Sequence, residues 1–272
     1  MTELPTAALE RIAAALERLA PQAPVSADPL AHPAYLWRGE MLQPARGFAP
    51  LPLAMLQGLD RQREALVTNL ERLADGHAAQ DVLLWGARGT GKSALVKASV
   101  AAVQATRPGR LALVSVDTLD SLPALFAMLE GVDRAFVLFI DDLGFDEAGE
   151  ARRLRSLLDG GAEARPAHVR LLVTANRRHL LPRDLSEQDS AINPRDVVDD
   201  QLALADRFGL SLGFHALDQD GYLAIVRAYT DRHDLPFDGA EAVNWATRRG
   251  SRSGRVAWQY IVDLAGRLGR AL

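Results

Sequence analysis

The residues best suited to chemistry begin with the run Gly86 to Ser93, which reads GARGTGKS. A glycine, four intervening residues and then Gly-Lys-Ser is the spacing of a phosphate-binding loop. Gly86, Gly89 and Gly91 let the backbone curl so that successive N–H groups converge on phosphate oxygens, with Ala87, Arg88, Thr90 and Ala94 completing the cradle. The run follows the apolar stretch DVLLW and opens SALVKASVAAV, the strand–loop–helix setting such a loop requires. Lys92 is then placed to reach β and γ phosphates, and the Ser93 hydroxyl to ligate Mg²⁺. Composition sharpens the case. The chain has 29 arginines and only two lysines, Lys92 and Lys97. One of the two falls where the loop uses a compact, flexible point charge rather than a planar fork.

A second group of polar residues ends apolar stretches downstream. In AFVLFIDDLGFD the strand-like run stops at Asp141 and Asp142, which puts carboxylates at the C-terminal edge of a sheet, where open α/β proteins bind ligands. Asp141 fits the carboxylate on the metal side, and Asp142 is placed to orient and polarise an attacking water as general base. Asp146 and Glu147 are further acids past the strand end. HVRLLVTAN closes on Asn176, an uncharged polar group suited to a γ-phosphate or the lytic water.

The elements that must position these groups are legible as alternating patterns. Thr6 to Ala20 reads as an amphipathic helix ended by Pro21. Pro21 to Pro52 holds seven of the 14 prolines and reads as an irregular arm with Tyr35, Trp37 and Phe48 as anchors. Asp60 is a candidate cap for a helix carrying Leu66, Asn69, Leu70 and Leu73 on one side and stopping at Gly76. Strands are expected at Val82 to Trp85, Leu111 to Val116, Ala135 to Ile140, Val169 to Thr174 and Leu210 to Phe214, with helices between them. That alternation predicts a parallel sheet covered on both faces. From Asp218 only helices are expected, as a small helical lid. The division is residues 1–50 for the helix and arm, 51–216 for the α/β domain and 217–272 for the lid.

Composition excludes several classes. At 272 residues and a formal charge of −4, the chain has length for a large core and no global positive field. It has no cysteine, hence neither disulfides nor thiolate metal sites. Charges at Glu3, Glu10, Arg11 and Glu17 interrupt any signal-peptide core, and no apolar run approaches the roughly 18 residues of a membrane span. A cytoplasmic location is expected.

The order of a phosphate loop, a double acid, a strand-terminal Asn, an Arg before the fifth strand and an Arg opening a lid helix resembles the AAA+ ATPases. The resemblance covers Leu51 to Leu272. It implies a five-stranded sheet of order 5-1-4-3-2, with the Asn-bearing strand between loop and acid strands. It further implies that Asn176 is sensor 1, Arg207 in DRFG the arginine finger serving a neighbouring subunit, Arg255 in SGRVA the sensor 2 arginine, and Leu56 to Leu66 a box lining the adenine pocket. Within AAA+, the phrases LWGARGTGKS, ANRRHL, ADRFGLSLGF and GSRSGR are similar to the prokaryotic family called domain of unknown function 815. Asp142 stands where many AAA+ members have Glu, a carboxylate one methylene shorter.

The expectation is an ATPase using ATP and Mg²⁺, working as a ring or transient homo-oligomer on a macromolecular partner. Two alternatives stay open: a slowly hydrolysing nucleotide switch, and a helicase-loader-like protein associated with nucleic acid. For the latter the support is Arg177, Arg178 and His179 together with Arg248 to Arg255. The polar run Pro182 to Asp199 is long for a loop and is expected to gate the site or meet a partner.

Overall fold

Residues 26–143, 148–158, 165–176 and 206–272, with the single residue Arg11, are described by the computed structural model. The expected N-terminal helix, Asp146, Glu147, the basic tip at 177–179 and the run 182–199 lie outside the described residues.

Runs rich in Val, Leu, Ile and Phe form a seven-stranded sheet. Its strands are β1 (Ala34–Trp37), β2 (Leu42–Pro44), β3 (Val82–Gly86), β4 (Leu111–Val116), β5 (Ala135–Ile140), β6 (Val169–Asn176) and β7 (Leu210–Phe214). Their spatial order is β2-β1-β4-β5-β6-β3-β7. All pairings are parallel except β1 with β2. Read from β7 to β4, this is the expected 5-1-4-3-2 arrangement. Every residue of β5 is buried, as a central strand covered on both faces must be.

Two more strands than expected extend the sheet, which corrects the reading of Pro21 to Pro52 as irregular. β1 runs parallel to β4, with Ala34 opposite Leu113 and Trp37 opposite Val116. Pro44 ends β2 at the sheet edge, where a missing N–H is tolerated. Tyr35 and Trp37 are buried on β1. The Tyr35 hydroxyl donates to Asp28 O at 2.7 Å and accepts from His32 N at 2.8 Å. The buried Arg134 guanidinium donates to Pro29 O, His32 O and Leu111 O, tying the segment that leads into β1 to the start of β4.

Helices α1 (Asp60–Ala74) and α2 (Lys92–Thr106) bury Leu66, Leu70, Leu73, Leu95, Val96, Val100 and Val103 against one face of the sheet. On the other, α3 (Leu122–Leu129) buries Leu122, Leu125, Phe126 and Leu129, and α4 (Ala148–Leu158) buries Leu154. Asp60 does not cap α1; it is the first helical residue, Leu59 holds the cap position, and the carboxylate pairs with Arg63. Gly76, at φ +77°, follows the helix, where the left-handed conformation favours glycine. A third core forms among α5 (Gln219–Arg232), α6 (Gly239–Arg249) and α7 (Gly254–Arg267), centred on Tyr222, Tyr260 and Ile261. Asp218, Asp238 and Ser253 cap these helices by accepting from first-turn amides. Leu51 and Met55 pack on this third core, beside the cavity described below.

Candidate functional site

The site follows from parallel register. β6 lies between β3 and β5, so the C-terminal ends of all three strands share one edge. Gly86 pairs with Asn176, and Asp141 and Asp142 follow Ile140, which pairs with Val173.

From β3 the chain turns through GARGTGKS into α2. Gly86 has φ +141°, and a Cβ there would lie 2.0 Å from Phe214 O, so only glycine fits against β7. Gly91, the residue before α2, is left-handed at φ +95°, and among the described residues no side chain caps the helix. The first amides of α2 are therefore donors left open to an anion. The Lys92 ammonium is buried in the loop, donating to Gly86 O at 2.9 Å and Ala87 O at 2.8 Å. Burial pushes its pKa below the ordinary lysine value. Asp142 and Asp141 pull it back up, and Arg88 pushes it down.

Ser93 Oγ donates to Asp141 Oδ1 at 2.6 Å, and Thr174 Oγ1 donates to the same oxygen at 2.7 Å. Thr174 Oγ1 also accepts the Asp142 amide at 2.7 Å, and Thr174 O accepts the Leu143 amide at 2.9 Å. This buried threonine thus fixes both acids. Asp142 adopts φ +55°, which is uncommon for a residue with a side chain. Its Oδ1 accepts from the Asn176 amide, and its Oδ2 lies 3.9 Å from Arg88 Nη2. The Ser93 hydroxyl and Asp141 carboxylate together suit a hard divalent cation that completes its shell with phosphate and water. Among the described residues no cluster of three His, Cys, Asp or Glu exists to hold a metal without such help.

A cavity of about 440 Å³ opens between the loop and the helices of the third core. Gly89, Thr90, Gly91, Lys92, Ser93 and Ala94 line one end. Leu51, Met55, Leu56, Leu59, Ile225, Tyr229 and Trp258 supply an apolar remainder, joined by Gln57, Leu217, Gly254 and Arg255. A phosphate cradle continuous with an apolar, aromatic-walled chamber matches the two ends of a nucleotide. The wall from α7 is held close, because Gly254 N donates to Gly89 O at 3.0 Å.

Of the residues singled out from sequence, Lys92, Ser93, Asp141, Asp142 and Asn176 converge, and Arg255 lines the cavity. Ala87 and Arg88 line an adjoining depression together with Thr90 and Arg252. Arg207 is not brought to this site. It precedes β7, whose far end, Phe214, pairs with Gly86; β7 alone separates the two ends by roughly 13 Å at the rise of a strand. Sequence reasoning missed Thr174, Tyr229 and Trp258. Thr174 is readable only once Asn176 is placed at the strand end, two residues later on the same face.

A family model described as a protein of unknown function (DUF815) matches residues 30–268. The chain belongs to this family. No curated protein matches the sequence of this DUF815 member. Among solved structures, its fold is similar to RuvB of Thermotoga maritima, a Holliday junction branch migration motor, at TM-score 0.52 and 20% identity over 82% of this chain and 68% of that one. It is also similar to the ORC1 protein of Aeropyrum pernix in complex with DNA, at TM-score 0.53 and 15% identity over 82% and 66%. At these identities the likeness is one of fold, the AAA+ P-loop type. Among the described residues no helix is long and apolar enough to cross a membrane.

Proposed function

We propose that this DUF815 chain is an ATPase that binds Mg·ATP at residues 86–94 and hydrolyses it to move or remodel a macromolecular partner. One observation carries the reading: the Lys92 ammonium, the Ser93–Asp141 pair and the open amides of α2 face a nucleotide-sized cavity. Ser93 and Asp141 would hold the metal, which when bound offsets charge on the β and γ phosphate oxygens. Asp142 accepts a proton from water as the water oxygen bonds to the γ-phosphorus. The bond from phosphorus to the β–γ bridging oxygen breaks, its electron pair leaving with ADP. Asn176 orients the Asp142 carboxylate, and Arg255 approaches the phosphates from α7. In this reading residues 51–216 hold the nucleotide, 217–272 form the lid, and 1–50 form an arm whose hairpin extends the sheet.

The position of Arg207, at the far end of β7 from its own loop, favours a role toward a neighbouring copy. An arginine supplied in trans to the γ-phosphate is worth about 10³-fold or more in rate. Asp142→Asn should keep ATP binding and lose turnover. Arg207→Ala mixed with Lys92→Ala should regain activity that neither shows alone. Wild-type turnover by Asp142→Asn would remove this acid from the mechanism, and failure of the mixture would remove the neighbour.

A second reading, association with nucleic acid, has one observation in its favour. Arg248, Arg249, Arg252 and Arg255 are all exposed, and the stretch 242–262 contains no Asp or Glu. ATPase assays with and without single-stranded DNA or RNA separate this from a slow switch and from a partner-remodelling motor. Stimulation by nucleic acid supports the second reading, and indifference contradicts it.

A further inference from the structure

The loop spacing fixes Gly86, Gly91, Lys92 and Ser93, but it does not require the arginine at position 88. Arg88 Nη2 lies 3.9 Å from Asp142 Oδ2, and the two side chains are 78% and 60% exposed. Among the described residues Asp142 is the one carboxylate within ion-pair distance of it. A contact this long and this wet contributes little to stability, so packing and folding do not account for the residue. Its position does. Asp142 is held on its other oxygen by Asn176. Lys92 senses Arg88, Asp141 and Asp142 in one electrostatic field. Arg88 therefore pairs with one of the two acids that act on the buried Lys92.

A polyphosphate seated on Lys92 and Ser93 changes that balance. Its terminal group brings more negative charge than a single carboxylate and offers oxygens that match the planar guanidinium fork. We propose that the Arg88 side chain exchanges Asp142 for the γ-phosphate of bound ATP, so that this chain supplies in cis part of the positive charge that the transferring group needs. The exchange makes and breaks ion pairs only. It also frees Asp142 Oδ2 to face the attacking water. Arg88 thereby acts as a sensor of the terminal phosphate, indifferent to ADP. The inference rests on the ATP reading above.

The test is equilibrium binding of fluorescent ADP and of a fluorescent non-hydrolysable ATP analogue, with Mg²⁺, to wild type, Arg88→Ala, Arg88→Lys and Lys92→Ala. Loss of a charge-assisted contact should weaken the ATP analogue about tenfold or more in Arg88→Ala. ADP affinity should stay within about twofold, since no γ-phosphate is present to lose the contact. Arg88→Lys should recover part of the loss, because charge is kept and the fork is not. Lys92→Ala should weaken both ligands. Equal loss for ADP and ATP in Arg88→Ala, or no loss for either, overturns the role of Arg88 while leaving the nucleotide site standing. Absence of binding by wild type overturns both together. Arg88 is exposed, so an unchanged Tm for Arg88→Ala shows that the comparison is between folded proteins.

Discussion

Thr174→Val removes a hydroxyl while conserving size at a position that is 1% exposed. Two hydrogen bonds go with it: the one donated to Asp141 Oδ1 at 2.7 Å and the one accepted from the Asp142 amide at 2.7 Å. A bond to a charged carboxylate contributes about 1.5–3 kcal/mol, and an amide left without a partner costs about 1–3 kcal/mol. Water reaches Asp142, whose side chain is 60% exposed, so the sum falls toward roughly 2–3 kcal/mol. In a chain of this length each kcal/mol moves Tm by about 2–4 °C, and the expected drop is about 4–12 °C. The functional consequence is separate. Asp141 keeps Ser93 as a partner but loses the second hydroxyl that aims it, and removal of such an orienting group typically costs about 10-fold or more in metal affinity. Scanning fluorimetry reads the first effect. A titration of Mg²⁺ at fixed ATP reads the second, as a shift in the concentration giving half-maximal binding. Thr174→Ser, which keeps the hydroxyl, should restore the Mg²⁺ dependence. A Thr174→Val protein with lowered Tm and wild-type Mg²⁺ dependence would refute the positioning role.

Two further predictions concern the helices that wall the cavity. Among the described residues the buried Tyr222 hydroxyl has no hydrogen-bond partner, and burial raises its pKa to about 12. Tyr222→Phe should therefore be neutral or stabilising by about 1 kcal/mol. Because the folded pKa lies above the unfolded one, stability is fully present below pH 10 and is lost as pH rises toward 12; denaturant melts at pH 8 and pH 11 should show that loss shrinking in the variant. Gly89→Ala places a side chain at φ +75° and a Cβ 2.8 Å from Ser253 Cβ. The left-handed residue costs about 1–2 kcal/mol, and α7 must withdraw from the loop. Calorimetric titration should show nucleotide affinity falling about fivefold to tenfold, whereas unchanged affinity would mean that lid and loop are uncoupled.

What was legible in the sequence was what short-range chemistry dictates. GARGTGKS, the two acids after an apolar strand and Asn176 at a strand tip all reach one edge because each ends a strand of the same parallel sheet. The N-terminal hairpin was not legible. β1 and β2 are four and three residues long amid prolines, too short to show alternation, and the hairpin is held by the long-range pairing of β1 with β4. Thr174 reads as a strand former because β-branched residues favour strands for packing reasons alone. Tyr229 and Trp258 sit at helical spacing that predicts core. Trp258 remains 37% exposed because it fronts a cavity, a fact set by how α7 meets the loop.

The central claim, that this loop holds a nucleotide through Lys92, is tested most directly by thermal unfolding of wild type and Lys92→Ala with and without Mg·ATP. A ligand bound only to the folded state at a hundredfold excess over its Kd adds about 2.7 kcal/mol, or about 5 °C and upward in a chain of this size. Lys92 also bonds Gly86 O and Ala87 O, so the variant starts from a different Tm, and the quantity compared is the ATP-dependent shift. The account predicts a shift of that order for wild type and none for Lys92→Ala. Equal shifts in the two proteins, or none in either, would contradict it.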